Sequence, residues 1–419
     1  MSAVDAMQVR EKGVNLPGYA IFGGMLAMAG LPIYIHAPKF YGDTYGVSLA
    51  AIGAVLLVLR LIDMVQDPFF GWLSSRYSNA RAMLVAGGGA LMAISMLGLF
   101  AVTPPIEPIA WFALTLTGLF SGYSLLVINF YSQGVHTGAA MGPSGHVRLA
   151  SWRETGTLLG VCLAAAMPTL LMDATDQPFA GFAGVFAAIC FIAILVMRNA
   201  WVGSPDTAAP TGLREILGDG LARRLLLIAL LNALPVAVSS TLFLYFVELR
   251  LGAEEWWQGA LLILFFLCAA ASAPLWGALA ARIGAKAALL IAMVLAIAAF
   301  AYAAFLGQGQ VIAFAVICAA SGAAMGADLT LLPAIFSRHM ARIAPEAGQG
   351  FGLWSFVNKF TLAVAAVAVL PALDAAGLQA DGGPDADALR LLSILYALVP
   401  CALKLFAIAL LATTDLKER

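Results

Sequence analysis

The stretch from Arg60 to Arg81, R-L-I-D-M-V-Q-D-P-F-F-G-W-L-S-S-R-Y-S-N-A-R, sets charged residues inside a run apolar enough for a lipid bilayer, since V-S-L-A-A-I-G-A-V-L-L-V-L precedes it. A charged side chain at the centre of a bilayer costs about 2.5–3.5 kcal/mol on the insertion scale. A chain that keeps Arg60, Asp63 and Asp67 there must therefore fold around a polar interior. At 100° per residue, steps of three and four place these groups within an arc of roughly 60° on one helix face. Two carboxylates one turn apart cannot both stay ionised cheaply, so a bound cation, a proton or facing bases must neutralise them. The face reads as a cation site, with a static salt-bridge knot between helices as the competing reading.

Composition agrees with a membrane setting. Of 419 residues, 62% are hydrophobic and 11% charged, and the mean hydropathy is +0.93, which excludes an ordinary soluble domain. The N-terminal M-S-A-V-D-A-M-Q-V-R-E-K has no apolar core followed by a small-residue cleavage site, so no removable signal peptide is expected. Five cysteines lie in apolar runs without a C-x-x-C pair, and His36, His136, His146 and His339 are scattered near span ends. Neither a disulfide framework nor a resident metal is suggested, and no cofactor is expected. A net charge of −1 gives nucleic acid no basic patch.

Apolar runs of bilayer length predict twelve helices, near 17–36, 47–73, 82–102, 108–131, 147–171, 181–200, 223–248, 255–282, 286–306, 310–336, 348–373 and 388–412. The polar connection W-V-G-S-P-D-T-A-A-P-T-G-L-R-E-I-L-G-D-G, with a short amphipathic helix, divides the chain into a first bundle (1–200), a central loop (201–222) and a second bundle (223–419). The even-numbered connections and the termini hold fifteen of the 22 Lys and Arg residues, the odd-numbered ones only Lys39, Arg250 and Arg390. The positive-inside rule then puts both termini and the central loop in the cytoplasm, with an acidic D-G-G-P-D-A-D outside.

The halves repeat. D-P-F-F-G-W-L-S-S-R at 67–76 aligns without gaps on A-P-L-W-G-A-L-A-A-R at 273–282, an offset of 206 that also carries Arg153 onto Lys359. An all-α membrane protein of two pseudo-symmetric six-helix bundles follows, which is the layout of the major facilitator superfamily. Asp63 and Asp67 map onto Ala269 and Ala273, so the acidic pair belongs to the first half alone.

Four bases (Arg60, Arg153, Lys359, Lys404) and four acids (Asp63, Asp67, Glu154, Asp328) fall inside spans and balance to zero. Lys359 lies too deep to reach the interface easily, which makes the second-span carboxylates its expected counter-ions. Lys404, nearer an end, is expected to snorkel. Asp328 reads equally as a second proton or substrate site and as a helix-breaking feature held by backbone. Arg153 and Glu154 follow Trp152 and read either as an interfacial pair or as groups for a polar or anionic solute, to which a guanidinium fork is suited. Tyr123, Ser124, Asn129, Tyr131 and Ser132 make the fourth span unusually polar. Arg76, Arg81, Arg282 and Lys286, on the short cytoplasmic connections, fit an inner gate as well as a topological signal.

The pattern R-x-x-D-x-x-x-D-P-x-x-G-x-x-x-x-R in the second span, with a Lys in the eleventh and an Arg opening the fifth, resembles the glycoside–pentoside–hexuronide:cation symporters over the whole chain. The resemblance implies that Asp63 and Asp67 ligate Na⁺, Li⁺ or H⁺. Gln66 and Ser124 stand where the family places an Asn and a Thr, and they are still oxygen ligands for a hard cation. It further implies that Lys359 is coupled to that site and that Arg153 touches solute. Galactoside carriers of the family add an acid in the first span and another in the fourth. Here the first span has none and Val127 takes the fourth-span place, so cation coupling carries over and galactoside recognition does not. The expectation is a monomeric, multi-pass symporter of the inner (plasma) membrane. It would move a small polar solute, a sugar, glycoside or sugar acid, with a monovalent cation. Arg153, Glu154, Tyr123, Tyr131 and Lys359 would serve the solute, and Arg60, Lys359 and Asp328 the charge network. The family also resembles lysolipid symporters of animal membranes, so an amphipathic solute is the alternative. No nucleophile–base or metal constellation suggests an enzyme.

Overall fold

The structure is a computed structural model that describes residues 14–172, 175–201, 211–375 and 386–416. The N-terminal dodecapeptide, much of the central connection and most of D-G-G-P-D-A-D lie outside the described residues. Every regular element described is helical. The first part of the chain gives α1 (Leu16–Met28), α2 (Leu31–Tyr45), α3 (Leu49–Arg76), α4 (Arg81–Phe100), α5 (Pro108–Ala140), α6 (Gly145–Leu171), α7 (Pro178–Met197) and the short α8 (Leu213–Gly218). The rest gives α9 (Gly220–Tyr245), α10 (Glu255–Ile283), α11 (Ala285–Ala301), α12 (Val311–Ile343), α13 (Gly348–Ala375), α14 (Ala386–Ser393) and α15 (Val399–Ala412), with π turns at Phe246–Arg250 and Ile394–Leu398.

Ten of the described helical stretches are long and apolar enough to cross a membrane. The other two expected spans are also helical. One is α3, which carries Arg60, Asp63 and Asp67 within its apolar stretch, and the other is α1 with α2, interrupted at Ala29–Gly30. The interruption has a local cause, because Pro32 cannot donate the backbone hydrogen bond that would continue α1 into α2. Local chemistry sets other boundaries too. The Asn15 side chain accepts from Gly18 N at 2.9 Å to start α1, and Asp219 accepts from Ala222 N at 2.7 Å to start α9. Gly46, at φ 65°, closes α2 in the left-handed region.

Contacts divide the chain into two compact units, Met1–Gly218 with Ser337–Phe356, and Asp219–Phe336 with Val357–Arg419. By sequence, Ser337–Phe356 belongs to 223–419; in space it groups with the first unit. The first core gathers Tyr19, Phe22, Met92, Phe112, Phe130 and Phe186, the second Phe246, Phe314, Leu392 and Tyr396.

Apolar burial alone does not hold helices together in lipid, so close backbone approach must contribute. The tightest approach joins α1 to α6. A Cβ added at Gly156 would lie 2.0 Å from Ala20 O, and one at Gly160 would lie 2.3 Å from Gly24 O. Gly184, by contrast, faces open space. Overpacking a filled contact costs about 1–3 kcal/mol, and here the obstacle is backbone that cannot swing aside. Gly156→Leu should therefore sharply lower the melting temperature of the detergent-purified protein while Gly184→Leu leaves it unchanged, as measured by thermal size-exclusion assays.

Candidate functional site

Helix α3 begins where the Ser48 hydroxyl accepts from Ala51 N at 3.3 Å. Asp63 lies about 20 Å from either end of it at 1.5 Å per residue. Its two faces separate cleanly. Leu61 is 49% exposed and Val65 68%, whereas Asp63 is 6% and Asp67 0% exposed. Both acids thus point into the first unit, and Arg60 is half-buried beside them along the helix.

Two of the expected residues donate to Asp63, and a further hydroxyl holds one of them. Gln66 Nε2 donates to Asp63 Oδ1 at 2.9 Å, and Ser124 Oγ on α5 donates to the same oxygen at 2.8 Å. Ser121 Oγ, one turn earlier on α5, donates to Gln66 Oε1 at 3.0 Å. Helix periodicity could have found Ser121, since it stands three residues before Ser124 on the same face. The result is a compact set of hard oxygen atoms around a carboxylate, with Asp67 one turn further along α3. An amide and two hydroxyls can turn either a donor or an acceptor toward the centre. Such a set can therefore satisfy an ionised Asp63 with its hydrogens, or a monovalent cation with its oxygens.

A second polar cluster joins α5 to α6. Arg153 Nε donates to Glu154 Oε1 at 2.6 Å, and Tyr131 OH donates to the same oxygen at 3.1 Å. The guanidinium carbon sits 3.7 Å from the Tyr131 ring centroid, a cation–π geometry. Arg153 and Glu154 are 3% and 2% exposed, so they are bundle-interior groups, while Trp152 faces outward at 43% exposure. Arg153 Nη2 is buried and has no hydrogen-bond partner. Tyr123, half-buried on α5, is not among the groups bonded to this pair.

Near the end of α3, the chain crosses residues 344–352. A Cβ at Gly71 would lie 2.8 Å from Gly348 O, and one at Gly352 would lie 2.9 Å from Asp67 O. Ser75 Oγ accepts from Gln349 N at 3.1 Å. Arg81, fully buried, donates to Gln133 Oε1 at 3.0 Å and to Glu346 O at 3.3 Å. Glu346 and Gln133 carried no signal in the sequence that marked them as partners. Ala347 holds φ 54°, an uncommon conformation for a residue with a Cβ. Of the other expected gate residues, Arg76 is exposed. In the second unit Arg282 is also exposed, and Lys286 Nζ donates to Ala412 O and Thr414 O, each at 2.8 Å, neutralising the carbonyl end of α15.

Lys359 is half-buried on the part of α13 that belongs to the second unit. Lys404 departs from expectation. It does not snorkel: it is 5% exposed and bonds Asp328 inside the second unit. A partner deep in the bundle outweighs the pull of the interface, because an unpaired Asp328 would be a buried lone charge.

The family model for MFS/sugar transport proteins matches residues 17–418. The chain belongs to this family. The transporter is 24% identical over 395 residues to a glucuronide carrier protein homolog of Escherichia coli K12, covering 89% of this chain and 86% of that one. It is 26% identical over 241 residues to the inner membrane symporter YicJ of the same organism, covering 53% and 51%. The resemblance to glycoside–pentoside–hexuronide:cation symporters is thereby borne out. Among solved structures, the fucose:proton symporter of E. coli superposes with a TM-score of 0.69 at 15% identity, covering 94% of this chain and 98% of that one. A bacterial homologue of the iron transporter ferroportin gives 0.68 at 15% identity, covering 95% and 99%. These two likenesses establish the major facilitator fold. The protein is a multi-pass membrane transporter and not an enzyme.

The Arg153–Glu154 pair yields a stability prediction. Removing one partner of a buried ion pair costs about 3–5 kcal/mol, whereas replacing both with apolar groups is often neutral. Glu154→Leu alone should markedly destabilise the transporter in thermal melts. The double variant Arg153→Met with Glu154→Leu should recover most of the loss, and additive effects would show that the two do not interact.

Proposed function

We propose that the transporter is a symporter that couples a monovalent cation, Na⁺, Li⁺ or H⁺, to movement of a small polar solute of the sugar, glycoside or sugar-acid class. One observation carries this reading: Gln66 and Ser124 converge on a single carboxylate oxygen of the buried Asp63, with Ser121 holding the amide. An isolated structural carboxylate would need only donors. This one is surrounded by groups that can rotate to present oxygen instead, which is what a dehydrated cation requires.

In the proposed cycle the donors satisfy Asp63 while no cation is present. An arriving cation displaces the Gln66 NH₂, the amide turns its oxygen inward, and Asp67 contributes the second negative charge. Lys359 keeps the coupling role that the family motif gives it. One charge moving through 100 mV supplies about 2.3 kcal/mol for solute accumulation. The solute is assigned to Arg153, Glu154 and Tyr131. The buried Arg153 Nη2 offers a directed donor to a carboxylate or hydroxyl, and a relative named as a glucuronide carrier homolog favours the sugar-acid end of the range. The chain is assigned to the inner membrane with both termini cytoplasmic, from its Lys and Arg distribution.

The test is uptake into proteoliposomes with and without Na⁺, Li⁺ or a proton gradient. Asp63→Asn and Asp67→Asn should each abolish cation-dependent uptake while the melting temperature stays near that of the native protein. Native cation dependence in both variants would overturn the assignment. Arg153→Lys, which keeps the charge and loses the fork, should weaken apparent solute affinity severalfold, as expected for a charge-assisted hydrogen bond of about 1.5–3 kcal/mol that is only partly replaced.

A further inference from the structure

We infer that Asp328 and Lys404 form a proton-operated latch inside the second unit, separate from the site at Asp63. Asp328 lies near the middle of α12 and is 8% exposed. One of its oxygens, Oδ2, is engaged by Lys404 Nζ, while the other, Oδ1, is buried without a hydrogen-bond partner. Both side chains line a cavity of about 100 Å³, large enough for ordered water but too small for a sugar.

The hydroxyls on the cavity wall do not relieve Oδ1. Ser239 Oγ donates to Pro235 O at 2.9 Å and Ser321 Oγ to Ile317 O at 2.6 Å, so each serves its own helix. Helices α9, α10 and α11 present no acid or base to the cavity, and α12 presents only Asp328. Helix α15 adds Cys401, whose thiol faces Ile297 O at 3.9 Å. A buried carboxylate oxygen with free lone pairs, wall hydroxyls that serve their own helices and space for water together describe a place for a proton.

The step balances simply. A hydronium ion reaching the cavity breaks one O–H bond and leaves as neutral water, its proton forms an O–H bond at Asp328 Oδ1, and no electrons change hands. Asp328 becomes neutral while Lys404 keeps its charge, so the site passes from zero to one positive charge and the attraction that held the ammonium inward is lost. Lys404 stands eight positions before the end of α15, about 12 Å along the axis. On its long apolar stem it can then turn toward the polar end of the helix. The surrounding backbone is suited to such a shift. Pro235 in α9 and Pro400 in α15 both line the cavity, and a π turn at Ile394–Leu398 immediately precedes α15. Prolines and π turns are where helices bend.

Infrared difference spectra of the lipid-reconstituted transporter between neutral and acidic buffer test this without any solute or coupling ion, and so independently of the cation site. A carbonyl band of a protonated carboxylic acid should appear in acid and be missing from Asp328→Asn. If Asp328→Asn does not fold, Asp328→Glu should shift that band in frequency. An identical band in the variant that folds overturns the latch. As a second measurement, uptake at saturating cation and solute should vary severalfold with pH in the native protein. It should be nearly flat in the double variant Asp328→Asn with Lys404→Met, which removes both charges together. A double variant that retains the native pH profile overturns the proposal as well.

Discussion

The cost of holding a carboxylate away from water governs this molecule. Asp63 and Asp67 lie in a helix whose opposite side is exposed and apolar, and no packing preference would place them there. Their presence fixes which way α3 faces and which side of α5 must carry hydroxyls. Stability and chemistry therefore constrain the same few side chains.

In the first unit the Gln66 amide and the Ser124 hydroxyl, groups that can reorient, donate to Asp63. In the second, Asp328 is met by a full opposite charge from Lys404. The halves are asymmetric, since the positions equivalent to Asp63 and Asp67 are Ala269 and Ala273, both fully buried.

Much of this was legible in the chain. Hydropathy located the helical spans, spacing put Asp63 and Asp67 on one face of α3, because helical periodicity converts position directly into facing, and the family resemblance named Gln66 and Ser124. Tertiary choices were less visible. Lys404 resembled a snorkelling residue because its distance from the helix end is short, and nothing in sequence revealed that Asp328 stood opposite. The partnership of Arg81 with Gln133 and with the Glu346 carbonyl was equally hidden, since backbone acceptors leave no trace in residue identity. The break between α1 and α2 could have been read from Gly30 and Pro32, but it was absorbed into a single predicted span.

The crossing of α3 over residues 348–352 brings backbone against backbone, with the Asp67 carbonyl beside Gly352 and no side chains between them. Side chains cushion a displacement by changing rotamer; peptide planes in direct touch cannot. Any shift of the α3 main chain must be followed by the first turns of α13 or must part the two backbones altogether. Packed contacts of this kind switch between discrete arrangements instead of yielding gradually. Gly71, Gly348 and Gly352 thus form a stiff joint between α3 and the first turns of α13.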